Sequence, residues 1–169
     1  MANTQAMVTE FMGKLMTGTH NFGTGVIRAG TGADTYYAAL LLASGTFDAS
    51  SSDYTGTIGS VTMSGEVSGS GYTAGGVAIT NATPPTATNA SATAGVAFWT
   101  PSASITYTTV TLATAFDAVM IYNSTQGTGG AYPAVSIHTF GSQTITAGTF
   151  TLTMPTNDTT NALIRLATT

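Results

Sequence analysis

The stretch TFTLTMP, residues 149–155, sets Phe150, Leu152 and Met154 in strict alternation with Thr149, Thr151 and Thr153. A period of two puts apolar side chains on one face of a pleated strand and β-branched threonines on the other. Pro155 has no N–H to give to a ladder, so it ends the strand or holds it at a sheet edge. One short run thus predicts a half-buried strand with a defined inside.

Working outward, Ile105 and Tyr107 share one phase while Val110 and Leu112 share the other. An extra residue near Thr108–Thr109 accounts for the change, which predicts a β-bulge. Phe116 to Tyr122 is almost continuously apolar, as in a strand covered on both faces, and belongs at the centre of the core. Tyr36 to Ala43 predicts a second buried strand, Val61, Met63 and Val67 resume a strand period, and Ala162 to Leu166 closes the chain in the sheet. Between these runs lie Gly-, Pro- and Asn-rich turns, and the Asp48 to Asp53 loop offers side chains that bond their own backbone. Many short strands on this scale predict an all-β chain, a β-sandwich or barrel, and its size favours a sandwich of jelly-roll-like or Ig-like type.

The N-terminus differs. Met7, Phe11, Met12, Leu15 and Met16 recur at helical spacing and line one face of a short helix, with Gly18 as its stop. Gly13 in its interior costs about 1 kcal/mol relative to alanine, so the helix needs a partner surface. Thr19 to Asp34 is Gly- and Thr-rich and predicts an extended connector. Residues 1–33 therefore form a helix or arm with its connector, and residues 34–169 the sandwich domain. The five apolar residues are candidate assembly contacts, expected to be covered only when the arm docks on a neighbouring subunit.

Composition narrows the function. Only 6% of the residues are charged, against roughly a quarter in ordinary domains, and threonine supplies about a fifth of the chain. Disorder is disfavoured by the mean hydropathy of +0.24 and a net charge of only −4. The three basic residues, Lys14, Arg28 and Arg165, are too few to displace counterions from a phosphate backbone, which argues against nucleic acid. The chain has no cysteine, hence no disulfide or thiol chemistry. Neither a signal peptide nor a membrane-length apolar run is visible, which predicts a protein made in the cytoplasm that enters no membrane.

No motif carries chemistry. The glycine-rich run Gly65 to Gly76, GEVSGSGYTAGG, lacks the Lys-Ser/Thr ending and following helix of a phosphate loop, so its glycines read as turn or bulge positions. His20 and His138 have no carboxylate beside them in sequence. The seven acidic residues, Glu10, Asp34, Asp48, Asp53, Glu66, Asp117 and Asp158, are scattered and read as solvated loop residues. Trp99, beside Phe98, reads as core more readily than as a sugar platform. No catalytic, cofactor-binding or metal-binding residue is assigned.

GEVSGSGYTAGGVAITN, Gly65 to Asn81, resembles the segment GEVSGTGYTAGGxxLTN shared by a family of small tailed-bacteriophage proteins encoded among head and tail structural genes. The likeness extends to Phe11, Leu15, Gly18, His20, Asn21 and Phe22, to Asp34–Leu41, to Ala118–Asn123, to Phe140–Ser142 and Thr146–Thr151, and to Asn161–Leu166. Tyr37 stands where many members carry lysine, and Gln143-Thr144 where they carry an Asp-Lys pair. The resemblance implies a non-enzymatic virion protein without cofactor. It points to a capsid decoration or cement protein that binds the major capsid protein or other virion subunits as a homo-oligomer, with a trimer favoured. A tail, neck or baseplate component is the structural alternative. A glycan-binding adhesin using Tyr72, Trp99, Tyr107 or Tyr132 is the alternative from another class.

Overall fold

The computed structural model describes residues 2–16, 18–20, 22, 33–80, 84–89 and 95–167, without the side chains of Met16 and Asn89. Most of the expected connector, residues 23–32, lies outside them. In chain order the elements are β1 (Ala6–Met7), α1 (Thr9–Met16), β2 (Tyr36–Leu42), β3 (Asp53–Tyr54), β4 (Val77–Ala78), β5 (Thr86–Asn89), β6 (Gly95–Trp99), β7 (Ile105–Asn123), β8 (Tyr132–Leu152) and β9 (Ile164–Ala167). They make an all-β, sandwich-like fold with one short helix near the N-terminus. The main sheet runs β1-β8-β7-β2-β4, with β3 also on β8, and a small sheet runs β5-β6-β9.

The main sheet is organised by the long β7–β8 hairpin, whose two strands span 19 and 21 residues. Its half nearer the turn is flanked by β2, in register from Tyr36↔Asn123 to Leu42↔Phe116, and here Phe116 and Ala118 to Tyr122 are buried. The far half carries the threonine alternation. The expected bulge is at Thr108–Thr109: Tyr107 faces Phe150 and Val110 faces Gly148, so β7 takes three steps where β8 takes two. Thr109 adopts φ 53°, and Ala147 marks a compensating irregularity on β8 at φ 46°. Two β-branched or Cβ-bearing residues in this region of backbone space persist only because the ladder on either side fixes them.

The strand expected through Val61, Met63 and Val67 does not form. These residues belong to an irregular strap that meets the sheet through isolated bridges, Leu41↔Glu66 and Ser70↔Thr111. Val67 N–H bonds Leu40 C=O at 3.0 Å, Leu42 N–H bonds Gly65 C=O at 2.8 Å, and Thr111 N–H bonds Ser70 C=O at 2.8 Å. The strap thus lies along β2 and then continues beside β7 beyond the end of β2. Its glycines explain why: a Cβ on Gly69 would collide with the Thr111 carbonyl, one on Gly71 with the Thr109 carbonyl, and one on Gly76 with the Ala38 carbonyl. Strand alternation is lost because backbone must approach backbone this closely.

The N-terminal segment is woven into the same body. Asn3 donates through Nδ2 to Asp117 Oδ1 at 2.7 Å and to Leu42 C=O at 3.0 Å, and its Oδ1 accepts from Phe47 N–H at 3.1 Å. β1 pairs β8 through Ala6↔Ile137 and Met7↔Ser136. α1 ends as expected at Gly18, at φ 71°, with Thr19 N–H bonded to Lys14 C=O at 2.9 Å. Phe11 reaches the space between the two sheets, where its ring meets Phe22 edge-on at 5.8 Å, and Phe22 stacks on Tyr36 at 4.7 Å and lies 4.8 Å from Trp99. The apolar face expected to wait for assembly is therefore partly used inside the chain.

Candidate functional site

Among the described residues, the most concentrated group of ionisable side chains surrounds Glu66. It sits between Gly65 and Val67 on the strap and is 4% exposed. Oε1 accepts from Tyr72 Oη at 2.8 Å and Gly75 N–H at 2.7 Å, and Oε2 from Tyr54 Oη at 2.8 Å and Met63 N–H at 2.9 Å. Burial, with Glu66 adding to it, pushes the Tyr54, Tyr72 and Tyr107 hydroxyls well above the usual phenol range. Burial acts the same way on Tyr122, with the neighbouring tyrosines and Glu66 contributing. All four thus stay protonated as donors. Tyr122 Oη closes the group by donating to Gly75 C=O, and Tyr107 Oη by donating to Ala38 C=O, both at 2.8 Å.

Four donors on two carboxylate oxygens leave little capacity for a substrate. The arrangement ties β3, the strap and the sheet together, with the strap's own amides as two of the donors. Sequence reasoning placed Glu66 with the solvated acids, and the structure corrects this. The one available signal was an acid set within a glycine-rich run between the apolar residues Met63 and Val67.

Asp34 is likewise buried. Its Oδ2 accepts from Asn123 Nδ2 at 2.7 Å and its Oδ1 from Gln126 Nε2 at 3.0 Å, fastening the entry to β2 onto the β7–β8 turn. Asp48 behaves as the loop composition predicts, accepting from Ser50 N–H at 2.8 Å and Ser50 Oγ at 2.6 Å; those bonds hold its carboxyl below the usual range. Lys14 bridges Glu10 at 2.9 Å and Asp53 at 3.5 Å, joining α1 to β3.

The two histidines stand in different surroundings. His20 is buried edge-on to Phe11 at 5.0 Å, with Nδ1 3.2 Å from Asn123 Nδ2. His138 Nε2 lies 2.8 Å from Ser136 Oγ on the same face of β8, and burial lowers its pKa to about 4. Among the described residues no group of three metal-binding side chains forms.

The candidate assembly contacts separate. Phe11 is fully buried in its own chain, so an intersubunit role for it is withdrawn: the inter-sheet aromatic cluster already occupies its ring. Met12 is 46% exposed, Leu15 is half-buried against the core, and Met7 is half-buried on the outer strand β1. The side chain of Met16 lies outside the described residues. Of the aromatics considered for sugar binding, Trp99 and Tyr107 are buried, and Tyr72 and Tyr132 pack half-buried against the core, so Trp99 and Tyr107 present no face to a glycan.

Comparison of the chain with protein-family models, curated proteins and solved structures finds no match.

Proposed function

We propose that this chain is a non-enzymatic structural subunit of a tailed-bacteriophage particle, acting as a decoration or cement protein on the assembled head. The observation that carries the reading links the resemblance to the geometry. The segment resembling the phage family, Gly65 to Asn81, covers most of the strap, and its characteristic residues have scaffold roles. Glu66 collects four hydrogen bonds, Tyr72 is one of its donors, and Gly71 and Gly76 lie where backbone crowds backbone. A likeness concentrated in residues that build the fold supports a shared scaffold, and through it the family's role in the particle.

The physical character suits that role. The acid that most resembles a catalytic group is saturated by its own fold, and the surface is threonine-rich with few charges. Many weak identical contacts on a symmetric shell give strong attachment through effective concentration, which favours a cyclic homo-oligomer, a trimer in this proposal, bound to the major capsid protein. Particles assembled without this chain should form and package DNA but release it at a lower temperature, and adding the purified protein back should restore the difference. Failure to assemble heads or attach tails without it would move the chain to the neck, tail or baseplate. Unchanged thermal release would remove the cement role.

A further inference from the structure

Residues of β1, β8 and β9 line one groove. β1 pairs β8 on one side, and β9 pairs β6 through Val96↔Ala167 to Trp99↔Ile164. On their other sides neither β1 nor β9 has a backbone partner among the described residues. Ala6, Met7, Ser136, His138, Leu163 and Arg165 line a groove of about 320 Å³, within the size range of ordinary ligand sites. Its floor is uncharged: Ser136 Oγ and His138 Nε2 bond each other, and burial keeps the His138 ring neutral near pH 7.

We propose that this groove is a strand-docking slot, which takes an extended segment of a neighbouring subunit carrying a carboxylate opposite Arg165. Unpaired N–H and C=O groups on a sheet edge specify an extended polypeptide, which satisfies them while its alternate side chains enter the groove. The charge follows from Arg165, which stands exposed on β9 at the groove. Asp158 lies within electrostatic reach of Arg165, but its oxygens are already bonded by Thr160 N–H and by the N–H and Nδ2 of Asn161. The outer edge of β8 beyond Gly141 is a poorer dock, because register shifts and the positive φ of Ala147 interrupt it, the usual protection of an open edge.

The proposal deepens the particle role by naming the partner's chemistry, and its test needs no particle, so the two fail independently. The probes are a capped nonapeptide of alternating threonine and valine with a central aspartate, and the same peptide with a central lysine, titrated into the full chain and followed by amide NMR. Shifts should concentrate at Ala6, Met7 and Ile164–Ala167. The aspartate peptide should bind roughly threefold to fivefold tighter, as an exposed ion pair allows. Arg165→Glu should reverse that order, and Arg165→Gln should abolish it; the remaining spectrum reports that each variant is folded. Absence of shifts at millimolar peptide, shifts confined to residues 141–152, or a preference unaffected by both variants would overturn the proposal.

Discussion

Two glycines in this chain have opposite prospects, and geometry separates them. Gly76 has φ 77° and a Cβ there would enter the Ala38 carbonyl, so Gly76→Ala should cost at least about 2 kcal/mol in urea unfolding. Gly13 lies in α1, and beyond the helix's own backbone nothing stands within 4 Å of where an alanine methyl would sit, so Gly13→Ala should stabilise by about 0.5–1 kcal/mol. Glu66→Gln keeps the shape but turns an amide N–H toward hydroxyl and amide donors; a loss of about 2–4 kcal/mol is expected, visible as a lower thermal midpoint. His138 gives a pH dependence. Its folded pKa of about 4 lies below the ordinary 6.5, so the unfolded chain binds the extra proton between those values. This contribution to stability is complete above pH 6.5 and is lost as pH falls toward 4, a change on the order of 3 kcal/mol. His138→Gln should flatten the urea midpoint between pH 7 and pH 4.5 relative to the parent; an equally steep decline in both would refute the assignment.

At the scale of elements, the strands were legible where side chains alternate or run unbroken. Phe150, Leu152 and Met154 point inward against exposed threonines, Tyr36 to Leu42 is the buried β2, and the change of phase near Thr108–Thr109 is the bulge itself. These features are local, and a period of two records them directly. The strap was not legible, because Val61, Met63 and Val67 keep strand-like spacing while close backbone contacts at Gly69, Gly71 and Gly76 dictate the path. Nor was the burial of Glu66, whose partners Tyr54 and Tyr72 lie 12 and 6 residues away and meet it only through the tertiary fold. The N-terminal helix was legible as a helix, and its partner surface was not: Phe11 enters a cluster with Phe22, Tyr36 and Trp99, residues spread across the first hundred positions. Removing residues 2–18 should consequently expose that cluster and lose the Asn3 bonds. Circular dichroism should show a melting temperature lowered by at least about 10 °C, or no cooperative melt, since several kcal/mol of burial and hydrogen bonding go with the segment. A truncated chain that melts like the parent would restore the reading of residues 1–33 as an arm covered only when it docks on a neighbouring subunit.

For the whole molecule, a saturated buried carboxylate, an aromatic seam between two sheets and a long threonine-faced hairpin describe a scaffold whose stability lies in apolar burial and fixed hydrogen bonds. Among the described residues the open features are Met12 on α1, Val61 on the strap at 58% exposure, Leu166 on β9 at 40%, and the groove lined by β1, β8 and β9. On the proposed reading such a scaffold has its role in what it attaches to, and its abundance in the finished particle tests that reading most directly. Quantitative mass spectrometry of purified particles, scaled to the major shell protein, should find this chain in copies comparable to the shell's symmetry-equivalent sites. Its absence from purified particles would contradict the account.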